Sequence, residues 1–319
     1  MSTTTQHAKV KARIFKVDCN DANATDVKGS PKFIEILRKC LKGDSPAQNR
    51  RMKLNDTSPD EDLLASYSWN PSKTSLFGLM MRLVPDASTG AVPPELFQRL
   101  QISIADLQDS GDAGRSLCTS HYYFMLDESH LITTLPGQQS IENFQTYANW
   151  LTQAERPSLV SFLPEIELPQ ELKIGNIKRI EVGENAKIIS RLESPSSCLS
   201  NALRDLKTRV LKLILKDENT DANAPDDVAD CVAAKLVIST GRKKKHKEIP
   251  DDKFANAMAL LLKPVDSDSG IVIYGENDQR LSGADAKMTR VYCVEKTSNN
   301  CINIEQLKQK FEEELRGLE

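Results

Sequence analysis

The densest chemistry in the sequence is a run of cations, Arg242-Lys243-Lys244-Lys245-His246-Lys247, directly behind Gly241. Like charges at adjacent positions repel, so such a run is either solvated or meets an anion. A nucleic-acid backbone suits it, because cations that neutralise phosphates release condensed counterions. The plain alternative is a solvated loop. Arg50-Arg51-Met52-Lys53 is a second cluster, and Lys207, Arg209, Lys212 and Lys216 place cations on and around one strand-like stretch. For these the alternative is the solvent face of a sheet. The candidate nucleic-acid-binding residues are therefore Arg242, Lys243, Lys244, Lys245, Lys247, Arg50, Arg51 and Lys212. The net charge is −3, so the chain has no global basic field and any such contact comes from a local patch.

Other chemistries find less support. Asp217-x-Asn219-x-Asp221-x-Asn223-x-x-Asp226 has oxygen ligands at alternate positions, as a calcium loop does. Ala222 stands where such a loop needs glycine, however, and Val228 where it needs the closing glutamate. Cys118, His121 and His130 could be written as a metal site, but a cross-strand surface pair of the two histidines is the expectation. Glu165 with Glu171-x-Lys173 imitates a nuclease set only weakly. The remaining carboxylates it would need, Asp18, Asp21 and Asp230, lie far apart along the chain. Phosphate-loop, dinucleotide, nucleophile-elbow and zinc-helix motifs are all missing. The reading is therefore a non-enzyme with no catalytic residue, no metal and no cofactor.

Seven scattered cysteines without CxxC spacing point to a reducing compartment. Met1 to His7 lacks an apolar core, and the longest apolar stretch, Ala257 to Leu262, is too short to span a bilayer. A cytoplasmic protein without membrane insertion is expected.

The elements that must position these groups are mixed. Val10 to Val17 alternates apolar and basic residues, the pattern of a half-buried strand. Ser30 and Pro31 open a helix carrying Phe33, Ile34, Leu37 and Leu41. Met52 to Leu54, Leu63 to Trp69 and Leu76 to Val84 read as strands, the last two as a hairpin about Asn70-Pro71-Ser72. Leu76 to Met81 could be an exposed apolar patch but reads better as a core strand. Glu95 to Leu107 reads as one helix. Cys118 to Leu126 and His130 to Leu135 form a hairpin, followed by a helix capped by Ser140. Pro157, Pro164 and Pro169 mark a boundary, giving an N-terminal domain over 1–155 and a C-terminal domain over 156–319 with the basic loop. Further strands are expected at 173–182, 186–192, 210–216, 232–239, 270–274 and 288–294, with 232–239 the hairpin partner of 210–216. The chain closes with an amphipathic helix carrying Ile304, Leu307, Phe311 and Leu315. Hairpins outnumber crossovers, so the expected class is α+β, mainly antiparallel sheets with helices packed on them.

Two stretches carry a family resemblance. One is FMLDESHLITTLPG with the helix that follows it to Leu151. The other is AAKLVIST running into GRKKKHK, then a helix, GIVIYGE, a further strand and the terminal helix. In pattern and order these resemble the RexA-like phage-exclusion family of DNA-binding proteins. The resemblance covers about half the chain and leaves the first hundred residues unmatched. It implies a homodimeric, largely sequence-independent binder of double-stranded DNA in a bacterial or prophage defence system, with a partner protein of that system. Among individual residues it bears only on Arg242 to Lys247. The alternative is a protein-interaction subunit without nucleic acid.

Overall fold

A computed structural model describes residues 6–19, 32–41, 45–54, 60–84, 94–109, 118–136, 139–155, 159–169, 177–183, 235–239, 271–275, 279–283, 285–297 and 301–318. Its strands are β1 (His7–Asp18), β2 (Arg51–Lys53), β3 (Glu61–Trp69), β4 (Leu76–Leu83), β5 (Cys118–Leu126), β6 (His130–Thr133), β7 (Ser161–Pro164), β8 (Ile177–Gly183), β9 (Lys235–Ser239), β10 (Ile271–Gly275), β11 (Arg280–Ser282) and β12 (Thr289–Glu295). Its α-helices are α1 (Phe33–Cys40), α2 (Pro94–Phe97), α3 (Ile104–Asp109), α4 (Ile141–Thr152) and α5 (Ile304–Leu318). The class is α+β with mostly antiparallel sheet, as the hairpin-rich sequence implies.

The chain forms two compact units: Met1–Glu165 with Met288–Glu319, and Ile166–Lys287. The stretch expected as one C-terminal domain is thus divided. The prolines near 157–169 fall where the chain leaves the first unit, and β12 and α5 return to it.

The first unit is built on an eight-stranded sheet in the order β12-β1-β6-β5-β4-β3-β2, with β7 also on β1, curled into a half-barrel. Both faces are covered. On one, Ile14, Leu63, Leu79, Met81, Tyr123 and Val294 meet Leu96, Leu107, Leu307, Phe311 and Leu315 from α2, α3 and α5. On the other, Phe15, Leu64, Met80 and Phe124 meet Phe33, Ile34 and Leu37 of α1, and Ile141, Phe144 and Tyr147 of α4. A strand buried on both sides loses its polar alternation. For that reason Leu76–Met81 reads as an unbroken apolar run, and these residues form a core strand. The alternation in β1 holds only for its first half, since Ala12, Arg13, Ile14 and Phe15 are all buried.

Gly78 on β4 leaves room for the ring of Phe124 on the neighbouring strand. A Cβ built there would lie 2.5 Å from two of that ring's carbons. Gly78→Ala is expected to cost about 2 kcal/mol in denaturant unfolding, by overpacking, and to be partly rescued by Phe124→Leu.

Local signals account for several element ends. Ser140 caps α4 by accepting a hydrogen bond from the Glu142 amide at 3.2 Å. The stretch read as one helix over 95–107 is two. Ser103 Oγ accepts from the Asp106 amide (3.2 Å) while the Asp106 carboxylate accepts from the Ser103 amide (2.7 Å), a capping box that starts α3. Just before it the Ile102 amide reaches across to the Ala65 carbonyl at 2.9 Å, which breaks the helical ladder. Helix α1 begins at Phe33 with Lys32 as N-cap, two residues after the expected Ser30 cap.

The second unit contains a four-stranded antiparallel sheet in the order β11-β10-β8-β9. Tyr274 donates to Glu181 at 3.0 Å, and Arg179 lies over the Tyr274 ring at 4.2 Å. The observed partner of β9 is β8. The stretches 186–192 and 210–216, expected as strands, lie outside the described residues.

Candidate nucleic-acid interface

Most arginines described in the first unit are engaged by the protein itself. Arg50 closes a 3-10 turn (Ala47–Arg50) and is 3% exposed. Its guanidinium donates to the carbonyls of Leu64 (3.0 Å), Ser45 (2.7 Å) and Leu100 (2.6 Å) and lies 5.2 Å from the Tyr67 ring centre. Burial pushes its pKa below the usual arginine value. Arg50 ties three chain segments together and is not accessible to a phosphate, so it leaves the candidate set. Arg51 donates to Glu61 at 2.7 Å and lies over the Phe97 ring at 4.4 Å. Its charge is thus neutralised across the β2–β3 pair. Arg13 donates to the carbonyls of Pro136 (3.1 Å) and Gln139 (2.9 Å). Arg82 makes a two-pronged contact with Asp62, at 3.0 and 3.1 Å. Burial raises the Asp62 carboxyl despite that partner. Arg242, Lys243, Lys244, Lys245, Lys247 and Lys212 lie outside the described residues, as does the Asp217–Val228 stretch.

Among the exposed cations without a carboxylate partner in the described residues, two stand close together on β1. Strand β12 pairs with β1 over His7–Arg13, whereas β6 is short and reaches only Arg13–Lys16. The first half of β1 therefore extends with β12 as a two-stranded ribbon. Val10, Ala12, Tyr292 and Val294 turn one face of this ribbon onto α5. Alternation turns the other face outward. There His7, Lys9 and Lys11 are exposed, opposite Glu295, Cys293 and Val291. Lys9 and Lys11 form no ion pair with any described residue. They stand two residues apart, about 6.8 Å along an extended strand. Lys16, also exposed, lies on the opposite face. The sequence pattern contained these lysines as half of an alternating strand, but a search for runs of charge passes over them.

The histidines do not form the expected cross-strand pair. The register places His130 opposite Asp127 at the hairpin turn, with the His130 amide on the Asp127 carboxylate at 2.7 Å. His121, in β5 and six positions before Asp127, pairs with Met81 and sets its ring edge against Tyr123. Burial lowers its pKa. The neighbouring Cys118 thiol is pushed up to about 11 by burial, which leaves it a poor nucleophile and a poor metal ligand at neutral pH. No group of three metal-ligating side chains occurs among the described residues. Glu165 continues the ladder, its amide on the Ile14 carbonyl at 2.9 Å. No described helix is long and apolar enough to cross a membrane.

No family model and no curated protein matches the chain.

Proposed function

We propose that the chain is a non-catalytic, largely sequence-independent DNA-binding protein, and that its setting is a bacterial or prophage anti-phage defence or exclusion system. The observation that supports DNA contact is the outer face of the β1–β12 ribbon, where Lys9 and Lys11 are exposed and unpaired beside His7. The nearby arginines are engaged internally, Arg51 and Arg82 by carboxylates and Arg13 and Arg50 by backbone carbonyls. Uncompensated lysines at regular spacing on an open strand face suit phosphates and not base edges, which favours binding without sequence preference. The basic run Arg242 to Lys247 adds cationic charge in the same chain. The defence setting, the homodimer and a partner protein of the same system rest on the resemblance described above, and the cytoplasmic location on the scattered cysteines and the lack of a long apolar stretch. A second reading, an interaction subunit without nucleic acid, is favoured by the open edge of β12, where Val291 is 60% exposed.

The test is a fluorescence titration of duplex DNA at several salt concentrations. Each phosphate contact contributes about 0.9 to the slope of log K against log salt. Lys9→Ala with Lys11→Ala is expected to lower that slope by about 2 and to leave the melting temperature unchanged. Lys243, Lys244 and Lys245 changed together to Ala should lower it by up to about 3. Unchanged slopes in both variants would refute the assignment.

A further inference from the structure

Among the described strands, β12 is the outermost of the main sheet at its end. The Lys296 amide on the Gln6 carbonyl (2.8 Å) and the Ile14 amide on the Met288 carbonyl (3.2 Å) fix its hydrogen-bonding phase. Even-numbered residues of β12 bond to β1, so Thr289, Val291, Cys293 and Glu295 direct their amides and carbonyls outward. Glu295 is already capped, its amide by Gln306 (2.6 Å) and its carbonyl by the Asn303 amide (2.8 Å). Among the described residues the open edge is therefore Thr289, Val291 and Cys293, with Val291 at its centre; the Thr289 carbonyl accepts from the Arg290 guanidinium at 3.3 Å and keeps a second lone pair.

Sheet edges are normally blunted by shortness, lysine, proline or a bulge. The opposite edge strand, β2, has three residues. The open half of β1 carries Lys9 and Lys11. By contrast β12 runs seven residues, pairs with β1 without a bulge, and carries exposed Val291 and Cys293 on its outer face. This edge lacks the protection that the other two have.

We propose that β12 pairs antiparallel with β12 of a second copy of this chain, about a two-fold axis at Val291. Only that register uses all three open residues of both strands: Thr289 faces Cys293 of the other copy, and Val291 faces itself. It forms about six main-chain hydrogen bonds. On the outer face it places no two like charges opposite each other, since Thr289, Val291 and Cys293 are uncharged. It also joins the two Lys9–Lys11 rows across one continuous sheet. The inference supplies a surface for the dimer and does not depend on DNA binding.

The experiment is sedimentation equilibrium of the full chain without nucleic acid. The wild type is expected to associate to a dimer. The Val291 amide points away from β1, so Val291→Pro leaves the β1 ladder intact and removes the two central intermolecular bonds. It should weaken association by about 100-fold, because symmetry counts each lost bond twice and a bond is worth up to about tenfold. Val291→Lys, which keeps every backbone group, should weaken it as well. Mild oxidation reports the register. Val291→Cys in a Cys293→Ser background should cross-link, since facing Cα atoms lie about 5.5 Å apart. Cys293 of the wild type should not, because its two copies lie more than about 13 Å apart. A monomer at all concentrations, or a dimer indifferent to both Val291 variants, overturns the proposal. A Cys293–Cys293 cross-link overturns the register. None of these outcomes affects the DNA titration, so the two readings fail separately.

Discussion

Arg50→Ala is expected to destabilise the fold by about 4 kcal/mol and to leave the salt dependence of DNA binding unchanged in whatever fraction remains folded. The side chain is 3% exposed and donates to three carbonyls from three segments: Ser45 before the 3-10 turn, Leu64 in β3 and Leu100 between α2 and α3. Its own carbonyl accepts from the buried Tyr147 hydroxyl at 2.7 Å, which also anchors α4. Removing the guanidinium strands buried acceptors, each costing about 1–3 kcal/mol. Arg50→Lys should recover little, because a single ammonium cannot span three carbonyls as the planar fork does. Urea unfolding followed by circular dichroism measures this. A loss below about 1 kcal/mol would show that Arg50 does not hold these segments together.

Breaking the Asp62–Arg82 pair from one side is expected to cost about 3 kcal/mol, and removing both partners together to cost much less. The Asp62 side chain is 3% exposed and that of Arg82 20%, so either one alone is a poorly solvated charge. Arg82→Met should therefore be the more damaging single change. Asp62→Leu with Arg82→Met should recover much of the loss, and a double-mutant cycle in urea reads the coupling. Additive single effects would show that the pair is solvated. The pH dependence follows from the same burial. The Asp62 carboxyl is raised because desolvation outweighs the Arg82 contact. A carboxyl with a raised folded pKa favours folding below its unfolded pKa. That contribution is lost as pH rises through the folded value. Wild-type stability should therefore fall across that window just above the ordinary carboxylate range, and Asp62→Asn should flatten the fall.

The fold class was legible because strand runs and turns are local signals. LFGLMM, the Asn70-Pro71-Ser72 turn and the Ser140 cap each specify their element without outside help. What the sequence concealed was non-local. The division of the C-terminal half depends on β12 pairing with β1, across almost the whole chain. The burial of Arg50 depends on which carbonyls converge on it, and nothing in Arg50-Arg51-Met52-Lys53 separates that inward arginine from the Arg51 beside it. The split of 95–107 was readable in principle, since Ser103-x-x-Asp106 is a capping signal. Periodicity outweighed it in the reading. The ribbon face emerged only when β6 proved too short to cover the first half of β1.

The most direct test of the central claim is binding of the full-length wild type to two duplexes of equal length and unrelated sequence, across a range of salt. The account predicts similar affinity for both duplexes at low salt and a steep, parallel loss as salt rises. No binding to either duplex at low salt, or an affinity that ignores salt, would contradict it.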